Sequence, residues 1–241
     1  MTTARNIIKN RIRAGNTLLG VGCYSAAILP KKKNANKVIK VGNTVDDPWL
    51  DFYERSVLRY PDNPYFPKVY DFHIDYENDY YVAVVEKLNS AINCSARNES
   101  LEEQISEWCK HGIDLHSLQM LTIDHDVNTT CLHEAVNSIH EIFVNDSEPA
   151  YECDGECEPA KDSYNEEEGY SEDYDCGCVE SNFNIDLHSG NFMYREDGTI
   201  VINDPLCHSE MDDIDDISNW ADEYKIKVRC KDQYMSEIIG G

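Results

Sequence analysis

Thirty-five consecutive residues, 147–181, read SEPAYECDGECEPAKDSYNEEEGYSEDYDCGCVES and hold thirteen carboxylates against one lysine. A segment of that composition cannot bury enough apolar surface to offset the entropy of ordering it. Whatever the chain folds into is therefore built from the residues on either side, with 147–181 as a solvated insertion. Such a loop costs little stability, because closure entropy grows only logarithmically with length. The insertion carries -12 of the formal net charge of -25, so the remainder is acidic as well, at -13.

The flanking residues can form a core, since 41% of the 241-residue chain is hydrophobic. That length suits one large domain or two lobes. No apolar run reaches the roughly 18 residues that a membrane helix needs, and MTTARNIIKNRIRAG lacks the apolar centre of a signal peptide. A cytoplasmic protein is expected, with its ten cysteines as reduced thiols. The acidic balance disfavours direct binding to nucleic-acid phosphates and favours basic surfaces on other proteins.

Strand signals crowd the first third. TLLGVGCYSAAIL places apolar residues on both sides of a Gly-x-Gly turn; NKVIKVG and YYVAVVEKL are β-branched runs. Between the last two, Asp47-Pro48 marks a helix start, and Trp49, Phe52, Tyr53, Ser56 and Val57 recur at helical spacing. YPDNPYFPKVYD reads as a proline-broken connector. SLEEQISEWCKHGI and NTTCLHEAVNSIHEIFV read as helices. After the insertion, NFMYREDGTIVIND reads as two strands around the Asp197-Gly198 turn, and DISNWADEYKIKV as a final helix. The class is α+β.

Within this frame, residues suited to phosphoryl transfer occur in order. Gly20 and Gly22 lack side chains that would keep backbone amides from phosphates. Lys40, central in a β-branched strand, is a charge available to α- and β-phosphates. Glu54, on the following helix, is placed to hold that lysine, with Asp51 one turn earlier as the competing choice. Asp186 suits the carboxylate near an attacking hydroxyl, and Asn191 and Asp204 supply hard oxygen ligands for Mg²⁺. D-x-x-x-x-N followed by a hairpin and a second aspartate is the catalytic-loop and metal-loop order of protein kinases. Gly190 permits a tight turn between them.

GVGCYSAA…KVIKVG, PKVYD and DLHSGNFMY…GTIVINDP together resemble the early serine/threonine protein kinases of podophages that carry their own RNA polymerase, the autographivirus type. More distantly, Asp-Leu-His-x-Gly-Asn is also the form found in antibiotic and choline phosphotransferases. The resemblance implies a two-lobed protein-kinase-like fold: a β-rich N-lobe over residues 1–88 and a helical C-lobe over 89–241 that contains the acidic insertion 147–181. It implies use of ATP and Mg²⁺, with Gly20, Gly22, Ser25, Lys40, Glu54, Glu86 and Leu88 around the nucleotide and 86–88 as the hinge that meets adenine. Asp186, Lys40 and His188 would be catalytic, and Asn191 and Asp204 would hold the metal. The implied targets are host proteins, including transcription and translation machinery such as RNA polymerase, together with the kinase itself; no contact with DNA, RNA or membrane is implied.

The chain departs from ordinary protein kinases at several points. Asn184-Ile185-Asp186 stands where His-Arg-Asp is usual, and Asn203-Asp204-Pro205 where Asp-Phe-Gly is usual. His188 takes the place of the customary lysine, with a turn-stabilising hydrogen bond and a phosphate contact as its two readings. Two further functional readings stand beside the kinase: a non-catalytic acidic decoy that occludes a host enzyme, and a small-molecule phosphotransferase.

In the insertion, Cys153, Cys157, Cys176 and Cys178 are the right number for tetrahedral Zn²⁺, but their C-x₃-C and C-x-C spacings favour free thiols. Ser163, Tyr164, Tyr170, Ser171 and Tyr174 are candidate autophosphorylation positions there.

Overall fold

The computed structural model describes residues 3–32, 36–44, 47–123, 127–145 and 183–208. The acidic insertion, its four cysteines and the helix expected in DISNWADEYKIKV lie outside the described residues.

Helix α1 (Ala4–Arg13) leads into an antiparallel sheet of five strands: β1 (Thr17–Val21), β2 (Ser25–Leu29), β3 (Lys37–Gly42), β4 (Val69–Asp75) and β5 (Tyr80–Glu86). Their spatial order is β1-β2-β3-β5-β4, which puts β3 at the centre. Side chains alternate across the sheet. Ile39 and Val41 of β3 join Ala26, Ile28 and Leu18 under Ala4 and Ile8 of α1. The opposite face, with Val38, Tyr81, Ala83 and Val85, belongs to the larger core. Lys40 and Gly42 fall on that second face, two and four residues from Val38.

Helix α2 (Pro48–Phe52) starts where Asp-Pro marks it. Asp47 caps it by accepting a hydrogen bond from the Trp49 amide, and Pro48 occupies the first turn, where no amide is needed. It widens into a π-helical turn, Tyr53–Val57. All five residues expected at helical spacing, Trp49, Phe52, Tyr53, Ser56 and Val57, are buried.

Strand β4 corrects the sequence reading, which left its first residues in a connector. It is an edge strand with a bulge between Val69 and Asp71, and Tyr70, Asp71 and His73 are exposed. The bulge breaks the two-residue alternation by which a half-buried strand is recognised.

Helices α3 (Glu99–His111), α4 (Leu115–Leu121) and α5 (Thr129–Asn145) follow. Leu101, Ile105, Trp108 and Cys109 of α3 and Leu132, Ala135, Val136, Ile139 and Ile142 of α5 join the larger core. Among the described residues, no helix is long and apolar enough to cross a membrane.

Two small sheets complete the fold. β6 (Asn89–Ser90), β8 (Phe192–Tyr194) and β9 (Ile200–Ile202) form one, in the order β6-β8-β9; β7 (Phe183–Ile185) and β10 (Leu206–His208) form the other. The β8–β9 hairpin turns at Gly198, whose φ of 89° is the left-handed conformation that glycine adopts without strain.

Candidate active site

Lys40 sits on the central strand with Ala27 and Ala83 as its cross-strand partners. Its ammonium lies 4.7 Å from the centre of the Trp49 ring and 3.1 Å from Asp204 Oδ2. Trp49 is itself stacked between Tyr53 and Tyr81. Packing thus fixes one side of the ammonium and an aspartate meets the other.

The two small sheets bring Asp186, Asn191 and Asp204 to one place. The loop 186–191 is bracketed by β7 and β8, and the segment 203–205 by β9 and β10. Backbone bonds tie them at both ends: Asp186 N donates to Pro205 O at 2.8 Å, and Asn203 N to Asn191 O at 3.0 Å. Asn191 Nδ2 donates to the Asp186 carbonyl at 2.5 Å and to its carboxylate at 3.2 Å. The amide of Asn191 spends its nitrogen on the loop, so these bonds leave its oxygen available.

His188 closes the turn. Its Nδ1 accepts from the Gly190 amide at 3.0 Å, and its Nε2 lies 3.8 Å from Asp186 Oδ1. A Cβ at position 190 would come within 2.7 Å of the ring, so glycine is what lets the imidazole fold over the turn.

Electrostatics favour a cation. Burial pushes the Asp204 carboxyl above its ordinary value; Lys40 opposes this, and Asp47 and Asp186 add to it. Asp47 and Asp186 thus add negative charge around the Lys40–Asp204 pair. Asp204 and the Asn191 oxygen fit Mg²⁺, a hard cation that draws its remaining ligands from water and phosphate. Among the described residues, no group of three or more His, Cys, Asp or Glu side chains is placed to hold a metal ion.

The other residues singled out from the sequence are placed as follows. Gly20 lies within β1, paired with Ala27, where a Cβ would meet only open space; Gly22 follows at the β1–β2 turn, and its amide donates to the Ser25 carbonyl at 2.8 Å. Ser25 opens β2, opposite Gly42. Glu54 is exposed on the π-turn while Lys40 meets Asp204. Glu86 ends β5, and its carboxylate is taken by Arg195, with Oε1 at 2.5 Å from Nη2 and Oε2 at 3.1 Å from Nε. The amides of Glu86 and Lys87 are spent on the carbonyls of Lys68 and Asn36. Leu88 is half-buried beside them.

Asp47, Tyr81 and Arg195 were not selected from the sequence. Asp47 stood there as a helix start and Tyr81 as one residue of a strand; nothing in the pattern around Arg195 marks it.

A groove of about 530 Å³ opens beside the loop, lined by Leu187, His188, Ser189 and α3 residues including Glu103 and Glu107. Lys40 and Asp204 do not line it, so it adjoins the Asp186 side of the site and not the lysine side.

No family model matches this sequence, and no curated protein matches it. Among solved structures, the kinase PK-1 of Cydia pomonella granulovirus is similar over part of its length, at 18% identity and a TM-score of 0.27. The match covers 50% of this chain and 48% of that one, so the chain spans about half of that structure.

Proposed function

We propose that the chain is a protein kinase that transfers the γ-phosphoryl group of Mg²⁺-bound ATP to serine or threonine hydroxyls. The single observation that carries this is the convergence of Lys40 and Asp204 beside a loop that presents Asp186 and Asn191. Residues 1–88 would be the N-lobe and 89–241 the C-lobe, with nucleotide between the sheet face that carries Lys40 and the 203–205 segment.

Each residue then has a task. Lys40 holds phosphate oxygens, and the open space over Gly20 admits phosphate close to the backbone. Asp204 and Asn191 hold the metal, which supplies charge neutralisation at the phosphates. Asp186 orients the substrate hydroxyl and accepts its proton as the oxygen bonds to the γ-phosphorus and the bond to ADP breaks. The Leu88 amide is the hinge group left to meet adenine. A protein substrate would approach from the groove beside His188.

The targets would be host proteins with basic surfaces, RNA polymerase among them, in the bacterial cytoplasm. A second reading, an acidic protein that occludes such a target without catalysis, is favoured by the net charge of -25. Labelled ATP and Mg²⁺, with and without host lysate, separate the two. Phosphate transferred to lysate proteins supports the kinase. Binding to a basic target with no transfer supports the decoy, and transfer only to small metabolites would point to a small-molecule phosphotransferase.

A further inference from the structure

Residues 1–45 hold nine lysines and arginines and no aspartate or glutamate, so all 46 carboxylate side chains fall in 46–241 with the remaining twelve of the 21 basic residues. We propose that the end of the five-stranded sheet where Arg11, Arg13, Lys31 and Lys32 meet binds the phosphate backbone of duplex nucleic acid. The acidic balance of the whole chain disfavours such binding, but the carboxylates responsible for it all lie beyond residue 45 in sequence. This surface stands apart from the kinase reading and does not rest on it.

The fold gathers these four cations from two segments. Arg11 and Arg13 occupy the last turn of α1. Lys31 and Lys32 follow β2, whose last residue, Leu29, pairs with Thr17 at the start of β1. Asn16, between α1 and β1, joins the two segments: its side chain donates to the Arg11 carbonyl at 2.7 Å and accepts from the Lys31 amide at 2.9 Å. Gly15 turns the chain at a φ of 88°, and a Cβ there would lie 3.2 Å from Lys31 Cδ and 3.4 Å from its Nζ. The Lys31 side chain therefore lies across the end of α1. One cation at that position complements the helix dipole; three more close by repel it and one another. All four are exposed. Among the described residues none of them is paired with a carboxylate, although carboxylates outnumber basic residues 46 to 21.

The surroundings select the kind of anion. Asn6 and Asn10, exposed and one turn apart on α1, add amide donors of the sort that contact phosphates. Ile7 and Ile12 pack against the core under α1, and among the described residues no large exposed hydrophobic side chain precedes Leu58. A membrane surface needs an apolar face that inserts. An acidic protein needs a buried aromatic or aliphatic anchor, and a single strand needs aromatic platforms for its bases. A duplex backbone needs none of these, since cations and neutral donors suffice to hold it. The net charge of -25 acts weakly at such a contact, because exposed charges are screened beyond roughly 8 Å at physiological ionic strength.

The test measures binding of the full chain to a short mixed-sequence DNA duplex and to the RNA duplex of the same sequence, by fluorescence anisotropy over a range of salt. Affinity should fall roughly a hundredfold between about 50 and 200 mM salt, since each neutralised phosphate adds about 0.9 to the slope of log K against log salt. Lys31→Gln with Lys32→Gln should weaken binding and reduce that slope by about 1.8, and Arg11→Gln with Arg13→Gln should do the same. Lys68→Gln with Lys110→Gln removes the same charge at exposed positions elsewhere and should leave the slope nearly unchanged. Melting temperatures show that each variant is folded; should the arginine pair fail to fold, the lysine pair decides. Tighter binding of one duplex than the other supports the proposal and identifies which nucleic acid is held. The proposal is overturned if neither duplex binds at the lower salt, or if the Lys68 and Lys110 variant loses as much as the Lys31 and Lys32 variant. It is also overturned if phosphatidylglycerol vesicles bind more tightly than both duplexes, or if sedimentation without duplex shows that the four cations hold a second copy of the chain.

Discussion

Lys40 and Asp204 stand 164 positions apart in sequence and meet at 3.1 Å, a central strand joined to the segment between β9 and β10. The pair couples the five-stranded sheet to the element that would hold metal. Substituting either residue should abolish transfer for different reasons. Lys40→Met should lower turnover on the order of a hundredfold or more while metal-dependent nucleotide binding persists in weakened form. Asp204→Asn should lose turnover to a similar extent together with the Mg²⁺ dependence of nucleotide binding. Calorimetric titration with and without Mg²⁺, beside a labelled-ATP assay, checks both; wild-type turnover in either variant removes the mechanism.

The bonds from Asn191 to Asp186 predict a division between binding and chemistry. Asp186→Asn leaves a side chain that still accepts from Asn191 Nδ2, so the loop should keep its shape. Nucleotide and Mg²⁺ affinity should then stay within about threefold of wild type, while transfer falls about a hundredfold or more. Asn191→Ala removes the metal-ligand oxygen and both loop bonds at once. Both affinity and rate should fall. Equal losses of affinity in the two variants would contradict these separate roles.

The parts legible in the sequence were those set by local pattern. Strands β3 and β5 follow from β-branched runs, β1 and β2 from the apolar residues on either side of the Gly-x-Gly turn, α2 from its Asp-Pro start, and the β8–β9 hairpin from Asp197-Gly198. The loop residues Asp186 and Asn191 are separated by a spacing that the loop itself enforces. Contacts that only the tertiary fold creates were not legible. Glu54 lies at a reasonable distance in sequence from Lys40, but the π-turn at 53–57 rotates that position outward, to solvent. Asp47 is hidden in the sequence by its ordinary role as a helix cap, and only the bareness of Gly42 brings it against the sheet. Glu86 has no local signal of its 109-position link to Arg195.

That link carries the third prediction. Arg195 forks onto Glu86 and also donates to the carbonyls of Pro64 and Phe66. Glu86 and Arg195 side chains are only 10% and 15% exposed. Arg195→Met leaves a buried carboxylate without its cation and two carbonyls without a donor, which should cost about 3–5 kcal/mol. Adding Glu86→Gln removes the uncompensated charge and should recover part of that loss. Denaturant unfolding of the two single variants and the double variant measures the coupling. Strict additivity would show that the pair contributes no interaction of its own.

The last prediction concerns pH. Burial is the largest cause of the raised Asp204 pKa, with Asp47 and Asp186 adding to it and Lys40 only partly offsetting them. The folded protein therefore takes up this proton at a pH where the unfolded chain, near the ordinary value of 3.8, is still ionised. Between those two values the folded state binds more protons than the unfolded one, so this group's contribution to stability falls as pH rises. Above the raised value the full cost of keeping Asp204 ionised is present, and at neutral pH the metal-free protein bears it. Asp204→Asn removes that cost. The variant should melt at a higher temperature than wild type at pH 7 without metal, and the gap should narrow as pH is lowered through the Asp204 titration. Such a gain in stability at the expense of activity is usual for a residue kept charged for function. Mg²⁺ with a non-hydrolysable ATP analogue should reverse the order, since ligands that bind only the folded wild-type site stabilise it by mass action. Thermal scans at pH 7 and pH 5, with and without both ligands, provide the comparison. A variant less stable than wild type at pH 7 without metal would show that Lys40 outweighs burial at this carboxylate.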